Sequence, residues 1–241
     1  MIFIAFILSL VFGSIGFVVT KNNARYILSG YNTMSEQDRQ QFDITSYLAY
    51  FKKFHLILAG ALLGGVLLLS LINNNWASIF MIEFPLCAYL YFLISTSAHY
   101  HTTTKQKQGT YIAGGVLSII ILVLMFESFT DYKSSELVLG PDMLEIRGSF
   151  GVTLNKAEVI GYELVDKLPE IAYKTGGFAA GDYAKGKFKT KNGKFIWLYV
   201  NKNVSPYLLI KSSKGEIYYN HDKTRPSTFR EQLRNWLGAT R

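Results

Sequence analysis

The chain has 241 residues, 49% of them hydrophobic, a formal net charge of +8 and a single cysteine, Cys87. One cysteine excludes an intrachain disulfide framework and a cysteine metal site. Residues 1–130 hold almost all the long apolar runs and carry 7 basic against 5 acidic residues; residues 131–241 carry 18 against 12, read as a soluble domain large enough for its own core.

A hydrocarbon core of about 30 Å needs roughly 20 apolar residues in a helix. Four segments qualify as expected spans: 1–20, 55–72, 76–95 and 111–129. The first lacks a basic n-region and a small-residue cleavage site, so it reads as an uncleaved anchor. Lys and Arg near span ends set orientation. The loop after the first span carries Lys21, Arg25, Arg39, Lys52 and Lys53, and the loop after the third carries Lys105 and Lys107. The N-terminus and the Asn73–Asn75 turn carry none. This asymmetry predicts a multi-pass membrane protein with the N-terminus and the C-terminal domain extracytoplasmic.

Residues 21–54 are more ordered than a plain linker. Thr33 with Glu36, and Ser35 with Asp38, each have capping-box spacing. Asp43 is placed to cap a second helix, with Phe42 and Tyr47 at the hydrophobic-staple positions. Tyr47, Tyr50, Phe51 and Phe54, beside Lys52 and Lys53, suit a headgroup-level belt. The segment reads as an interfacial elbow or a partner-docking surface. Within the spans, Gly60 and Gly64 form GxxxG, and Gly114 and Ser118 have the same spacing. Such notches serve packing within the chain or homodimerisation. Glu83 is an intramembrane polar candidate, as an acidic residue inside a span is costly. It lies near the outer interface by its distance from Trp76, and Pro85 beyond it kinks the helix. Interface pairing and a proton or ligand role both remain open for it. His99 and His101 have no clear third ligand nearby, so no metal site is expected.

From residue 136 the pattern alternates with period two, in short runs separated by turn signals at Gly140-Pro141-Asp142, Asn192-Gly193 and Lys214-Gly215. Asn-Gly between alternating runs predicts a tight hairpin. The tail "PSTFREQLRNWLGATR" predicts a helix capped by Thr228 and Glu231. Its Phe229, Leu233, Trp236 and Leu237 would share one face. Seven or eight antiparallel strands closed by such a helix give an all-β or α+β, PH-like barrel over 131–241, joined to a four-span α-helical region over 1–130.

In "KGKFKTKNGKF" the lysines Lys185, Lys187, Lys189 and Lys191 recur at every second position. On a strand they leave one face, with Phe188 turned inward. Lys174 and Lys194 extend the basic area. The preceding "GGFAAGDYAKG" reads as a glycine-rich loop with neither a Walker nor a Rossmann pattern, so no cofactor is expected. Phe195, Trp197 and Tyr199 alternate on a face that would fill the barrel, which argues against nucleic-acid stacking. The lysines either keep a solvent face soluble and block strand-edge pairing, or meet an anionic lipid or envelope polymer. Each lysine near an anionic leaflet contributes about 1 kcal/mol, so four give up to roughly 4 kcal/mol.

Residues 163–223, chiefly "GGFAAGDYAKGKF" and the "YLLI…GEIYYN" hairpin, resemble bacterial PH-like domains found on small membrane proteins. Residues 22–43, "NNARYILSGYNTMSEQDRQQFD", resemble the loop of a family of uncharacterised bacterial membrane proteins. The resemblance implies fold and a bacterial plasma-membrane setting, not an activity. No nucleophile, paired-carboxylate or HExxH motif stands out. The expected role is therefore non-enzymatic: a membrane-anchored binding, sensing or assembly module of the cell envelope. The alternative is a subunit of an oligomeric transport or channel complex.

Overall fold

The computed structural model describes residues 1–99 and 104–238. The chain divides into two compact units, Met1–Phe126 and Glu127–Arg241. The first is helical: α1 (Ile2–Val18), α2 (Ala24–Ile27), α3 (Ser29–Asn32), α4 (Glu36–Gln41), α5 (Ile44–Ile72), α6 (Asn74–His99) and α7 (Thr104–Asp131), whose last turn falls in the second unit. Among the described residues three helices are long and apolar enough to cross a membrane, over Ile44–Ile72, Asn74–Ser97 and Lys107–Asp131. The apolar α1 has 17 residues, about 25 Å of rise.

The elbow forms for local reasons. Ser35 caps α4, its Oγ accepting from the Asp38 amide, while Thr33 donates instead to the Gly30 carbonyl. Asp43 caps α5 by accepting from the Ser46 amide and hydroxyl. The Phe42 and Tyr47 rings meet at 5.5 Å, as a staple requires. The expected aromatic belt turns partly inward. Tyr50 stacks on Phe92, and Phe51 and Phe54 pack against both Phe92 and His55. His55 is buried; its Nδ1 lies 2.8 Å from the Phe51 carbonyl and its Nε2 3.0 Å from the Tyr89 hydroxyl. A carbonyl only accepts, so Nδ1 carries the proton and Nε2 accepts from Tyr89.

Close helix approach in this bundle uses glycines other than the expected pair. A Cβ on Gly60 or Gly64 would meet nothing within 4 Å, whereas one on Gly65 would collide with the Phe80 ring. Gly16 of α1 lies against Lys52 and His55 of α5, and Gly13 against Ala59. Gly114 faces Leu90 loosely, and the Ser118 hydroxyl bonds back to the Gly114 carbonyl. We therefore expect Gly65→Leu to lower stability in detergent by about 2 kcal/mol through overpacking. Gly64→Leu should leave the thermal midpoint unchanged, and equal shifts at the two positions would contradict the packing.

The second unit is sheet-rich. Strands β1 (Glu136–Leu139), β2 (Met143–Arg147) and β3 (Val152–Asn155) form a three-stranded antiparallel sheet. Strands β4 (Val159–Val165), β5 (Ile171–Ala180), β6 (Tyr183–Thr190), β7 (Phe195–Asn201), β8 (Tyr207–Ser212) and β9 (Gly215–Tyr219) form a second sheet in the order β4-β8-β9-β7-β6-β5. Its β7 and β9 run parallel and its other pairs antiparallel. Nine strands among the described residues, one pair of them parallel, depart from the expected set of seven or eight antiparallel strands.

One face of the larger sheet packs Tyr199, Leu208, Ile210, Ile217 and Tyr219 against Leu144, Ile146 and Leu154 of the smaller sheet and against helix α8 (Pro226–Gly238). The opposite face buries Phe188, Ile196, Leu198, Val200 and Leu209, with Leu168 of the β4–β5 connection packed on it. Polar clasps fix the first layer. The Tyr199 hydroxyl donates to the Phe150 carbonyl, Tyr219 to Ser135 and the Trp236 indole to Gly140. Helix α8 begins at Pro226 rather than beyond a Thr228 cap. Proline suits a first position because its missing N–H has no intrahelical acceptor there. Phe229 and Leu233 are buried as the periodicity predicts.

Candidate functional site

The glycine-rich segment is a hairpin, not a loop: β5 and β6 pair from Ile171↔Thr190 to Ala180↔Tyr183. Gly177 and Gly186 sit opposite one another with φ of +144° and +105°. Only glycine enters this region without strain. A Cβ on Gly177 would strike the Lys185 carbonyl oxygen, and one on Gly186 the Gly176 carbonyl oxygen. The two strands thus touch backbone to backbone.

The following turn sets which face the lysines share. The Gly193 amide donates to the Thr190 carbonyl, Gly193 has φ +86°, and Lys189 stands opposite Phe195. The register continues Lys187↔Trp197 and Lys185↔Tyr199. Lysines and aromatics therefore share one face, while Phe188, Ile196 and Leu198 turn to the other. Phe195 is exposed rather than a core residue, and Tyr199 is fully buried.

The six candidate lysines separate into four environments. Lys185 is not on an outer stripe: it is 2% exposed, at the covered Tyr199 end of the face. Its Nζ donates to the Thr130 carbonyl at 3.0 Å. Burial pushes its pKa below the ordinary lysine value, with Asp131 and Asp222 acting in the opposite sense. Lys187 stands 5.1 Å from the Phe195 ring centre and 5.8 Å from that of Trp197; Lys189 stands 5.4 Å from Phe195 and 5.8 Å from Tyr173. Neither forms an ion pair among the described residues. Lys191 pairs with Glu170 at 3.0 Å, and Lys194 with Glu216 at 3.8 Å. Lys174 is exposed but registers with Phe188, on the other face. The compact basic element is thus the Lys187–Lys189 pair, framed by exposed Tyr173 and Phe195. Those two aromatics were not read as part of the surface. Their cross-strand positions would have indicated them once the turn length was known.

A polar cluster surrounds Lys185. The Asp222 carboxylate accepts from the Tyr183 hydroxyl at 2.6 Å and the Asn201 amide at 2.8 Å. Burial raises its pKa, but hydrogen bonds from Tyr183, Asn201 and Ser134 outweigh this and lower it. In the helical unit Glu83 is 8% exposed, and both its carboxylate oxygens lack a hydrogen-bond partner among the described residues. Its side chain is thus covered by the bundle. Pro85, two residues on, lies inside α6 and cannot donate to the Met81 carbonyl. The His99 side chain and His101 lie outside the described residues. Among the described residues no cluster of three His, Cys, Asp or Glu side chains is arranged for a metal.

No curated protein and no solved structure is significantly similar to this chain. Residues 6–100, from within α1 to the end of α6, match a family model described as a domain of unknown function (DUF3784). The match fits an uncharacterised membrane family in the N-terminal half.

Proposed function

We propose that this chain is a membrane-anchored, non-enzymatic binding module whose β domain meets an anionic surface, foremost an anionic lipid leaflet, through Lys187 and Lys189. The observation that carries the reading is the pairing pattern. Lys191 and Lys194 have carboxylate partners, while Lys187 and Lys189 stand unpaired over exposed aromatic rings. Two lysines near an anionic leaflet contribute about 2 kcal/mol. That is weak for a free protein but effective for a tethered one, because tethering raises local concentration.

The membrane arrangement belongs to the same proposal. Helix α1 acts as a fourth, short span. Met1 touches Ser78 and Phe12 packs on Tyr89, so α1 runs parallel to α6, while Gly13 and Gly16 meet Ala59 and Lys52 of α5 in antiparallel sense. Alternating directions favour four crossings. With the Lys/Arg bias, the β domain then lies outside a bacterial plasma membrane. Its descent is read as PH-like from the resemblance of residues 163–223. The parallel β7/β9 pair departs from that plan, so no PH-type ligand is carried over.

The test uses full-length protein with Cys87→Ser and Lys191→Cys, a fluorophore on the new thiol, and vesicles containing nitroxide-headgroup lipid. Quenching is expected in phosphatidylglycerol but not phosphatidylcholine, weakened by salt and by Lys187→Glu with Lys189→Glu. Equal quenching in both lipids would remove the lysine pair from the account. A second reading, a subunit of an oligomeric transport complex, is favoured by the buried Glu83, whose carboxylate has no hydrogen-bond partner among the described residues. A strictly monomeric protein extracted under mild conditions would count against it.

A further inference from the structure

Helices α1 and α5 pack through small residues, with Gly13 against Ala59 and Gly16 against the Lys52 backbone. Along the pair runs an open, mostly apolar groove of about 400 Å³. Phe6, Leu10 and Leu63 wall it, and Ser9, Gly13 and Gly60 line it with little bulk. Ser9 is only 6% exposed, and its hydroxyl has no partner among the described residues. That hydroxyl is covered by the helices and is not a ligand contact; the groove offers an open, mostly apolar lining on its outer side.

Its dimensions and its charge point to one kind of occupant. From Phe6 to Phe17 the helix rises about 16 Å, close to one leaflet of a hydrocarbon core about 30 Å thick. At the Phe17 end the Lys52 ammonium lies 4.1 Å from the Phe17 ring centre. Lys52, Leu56 and Gly60 are spaced i, i+4, i+8, so Lys52 continues the row of α5 residues that line the groove. It is exposed and makes no ion pair among the described residues. A helix segment of the same length, about 10 Å across, would fill roughly 1,200 Å³. A single hydrocarbon chain suits the space better.

We propose that the α1–α5 groove holds one acyl chain of an anionic phospholipid whose phosphate rests at Lys52. The site is independent of the β-domain lysines. It is tested by native mass spectrometry of the full-length protein released from detergent, with phosphatidylglycerol or phosphatidylcholine of identical chains added. One phosphatidylglycerol is retained in preference. Lys52→Gln lowers its retention about fivefold, the effect of one lysine near an anionic headgroup, and leaves phosphatidylcholine unaffected. Gly60→Leu, which has open space to enter, displaces both lipids. Lys53→Gln, turned to another face, changes nothing, and neither does Lys187→Glu with Lys189→Glu. Circular dichroism confirms that each variant keeps its helix content. Equal retention of the two lipids, or retention unaffected by Gly60→Leu, overturns the proposal. So does a dimer that Gly60→Leu dissolves, because the groove would then belong to a second copy of the chain.

Discussion

Replacing Gly186 with valine is expected to destabilise the β domain by about 4 kcal/mol, the range reserved for a few named mechanisms. Two of them act together here. The φ of +105° is a conformation that a β-branched residue adopts only with strain, and such strain alone costs about 1–3 kcal/mol. The new Cβ would also run into the Gly176 carbonyl oxygen and stand 2.8 Å from the Gly177 Cα. Both obstacles are backbone and cannot rotate away. Gly193→Ala provides the contrast. Its φ is +86°, but a Cβ there meets nothing within 4 Å, so only the conformational term of about 1–2 kcal/mol applies. Denaturant unfolding of the full-length protein in detergent, in a Trp76→Phe background so that fluorescence reports Trp197 and Trp236, separates the two. A Gly186→Val midpoint no lower than that of Gly193→Ala would mean that β5 and β6 do not cross where they are placed.

The same hairpin marks how far the sequence could be read. Alternation in 185–191 and the Asn-Gly signal predict two paired strands, and β6 and β7 are found there. A two-residue turn at Asn192-Gly193 would set Phe188 opposite Trp197, filling the interior with Trp197 and Tyr199. The turn instead holds one more residue, with only Gly193 at positive φ. A slip of one residue moves every side chain to the other face, so Phe195, Trp197 and Tyr199 join the lysines. Turn length depends on hydrogen bonds such as Gly193 to Thr190, which residue identities alone do not fix. The burial of Lys185 was illegible for a further reason. It depends on Thr130, 55 residues earlier, and no local pattern reports that contact.

In the helical unit, features set within a turn or two were readable and those set between helices were not. The Asp43 cap and the Phe42–Tyr47 staple follow from spacing alone. Of the two capping-box spacings, Ser35–Asp38 caps α4, with the Asp38 carboxylate accepting from the Ser35 hydroxyl and not from its amide, while the Thr33 hydroxyl donates to the Gly30 carbonyl. The GxxxG of Gly60 and Gly64 is a spacing rule. What decides a close approach is which side of α5 meets α6, and that puts Gly65, one residue on, against Phe80. The inward turn of Phe51 toward Phe92 has the same origin.

Lys185→Met is expected to cost about 2 kcal/mol at neutral pH, while Lys187→Met, two residues along the strand, stays within about 0.5 kcal/mol. Thr130 lies in the last turn of α7, where carbonyls have no partner within the helix. The Lys185 ammonium satisfies that carbonyl and places a positive charge where the helix dipole is negative. Methionine fills similar volume but leaves the carbonyl unpaired. It also removes the Lys185 charge from beside Asp131, whose Oδ1 is buried and without a hydrogen-bond partner among the described residues. Opposing this, methionine escapes the burial penalty that lowers the lysine's pKa, which holds the net loss below the larger values seen when a tight buried ion pair is broken. The pH dependence has a definite sign. A lysine whose folded pKa lies below its unfolded 10.5 binds fewer protons folded than unfolded across that interval. Its contribution to stability therefore rises with pH up to about 10.5. The neutral amine still donates to Thr130, so the gap between the native protein and Lys185→Met should widen as pH approaches that value. Unfolding measured from pH 7 to 10 on both proteins gives the answer. A gap that is absent at pH 7 would show that Lys185 is held by packing alone, and one that narrows with rising pH would show that Asp131 and Asp222 outweigh burial and hold its proton more tightly in the folded state.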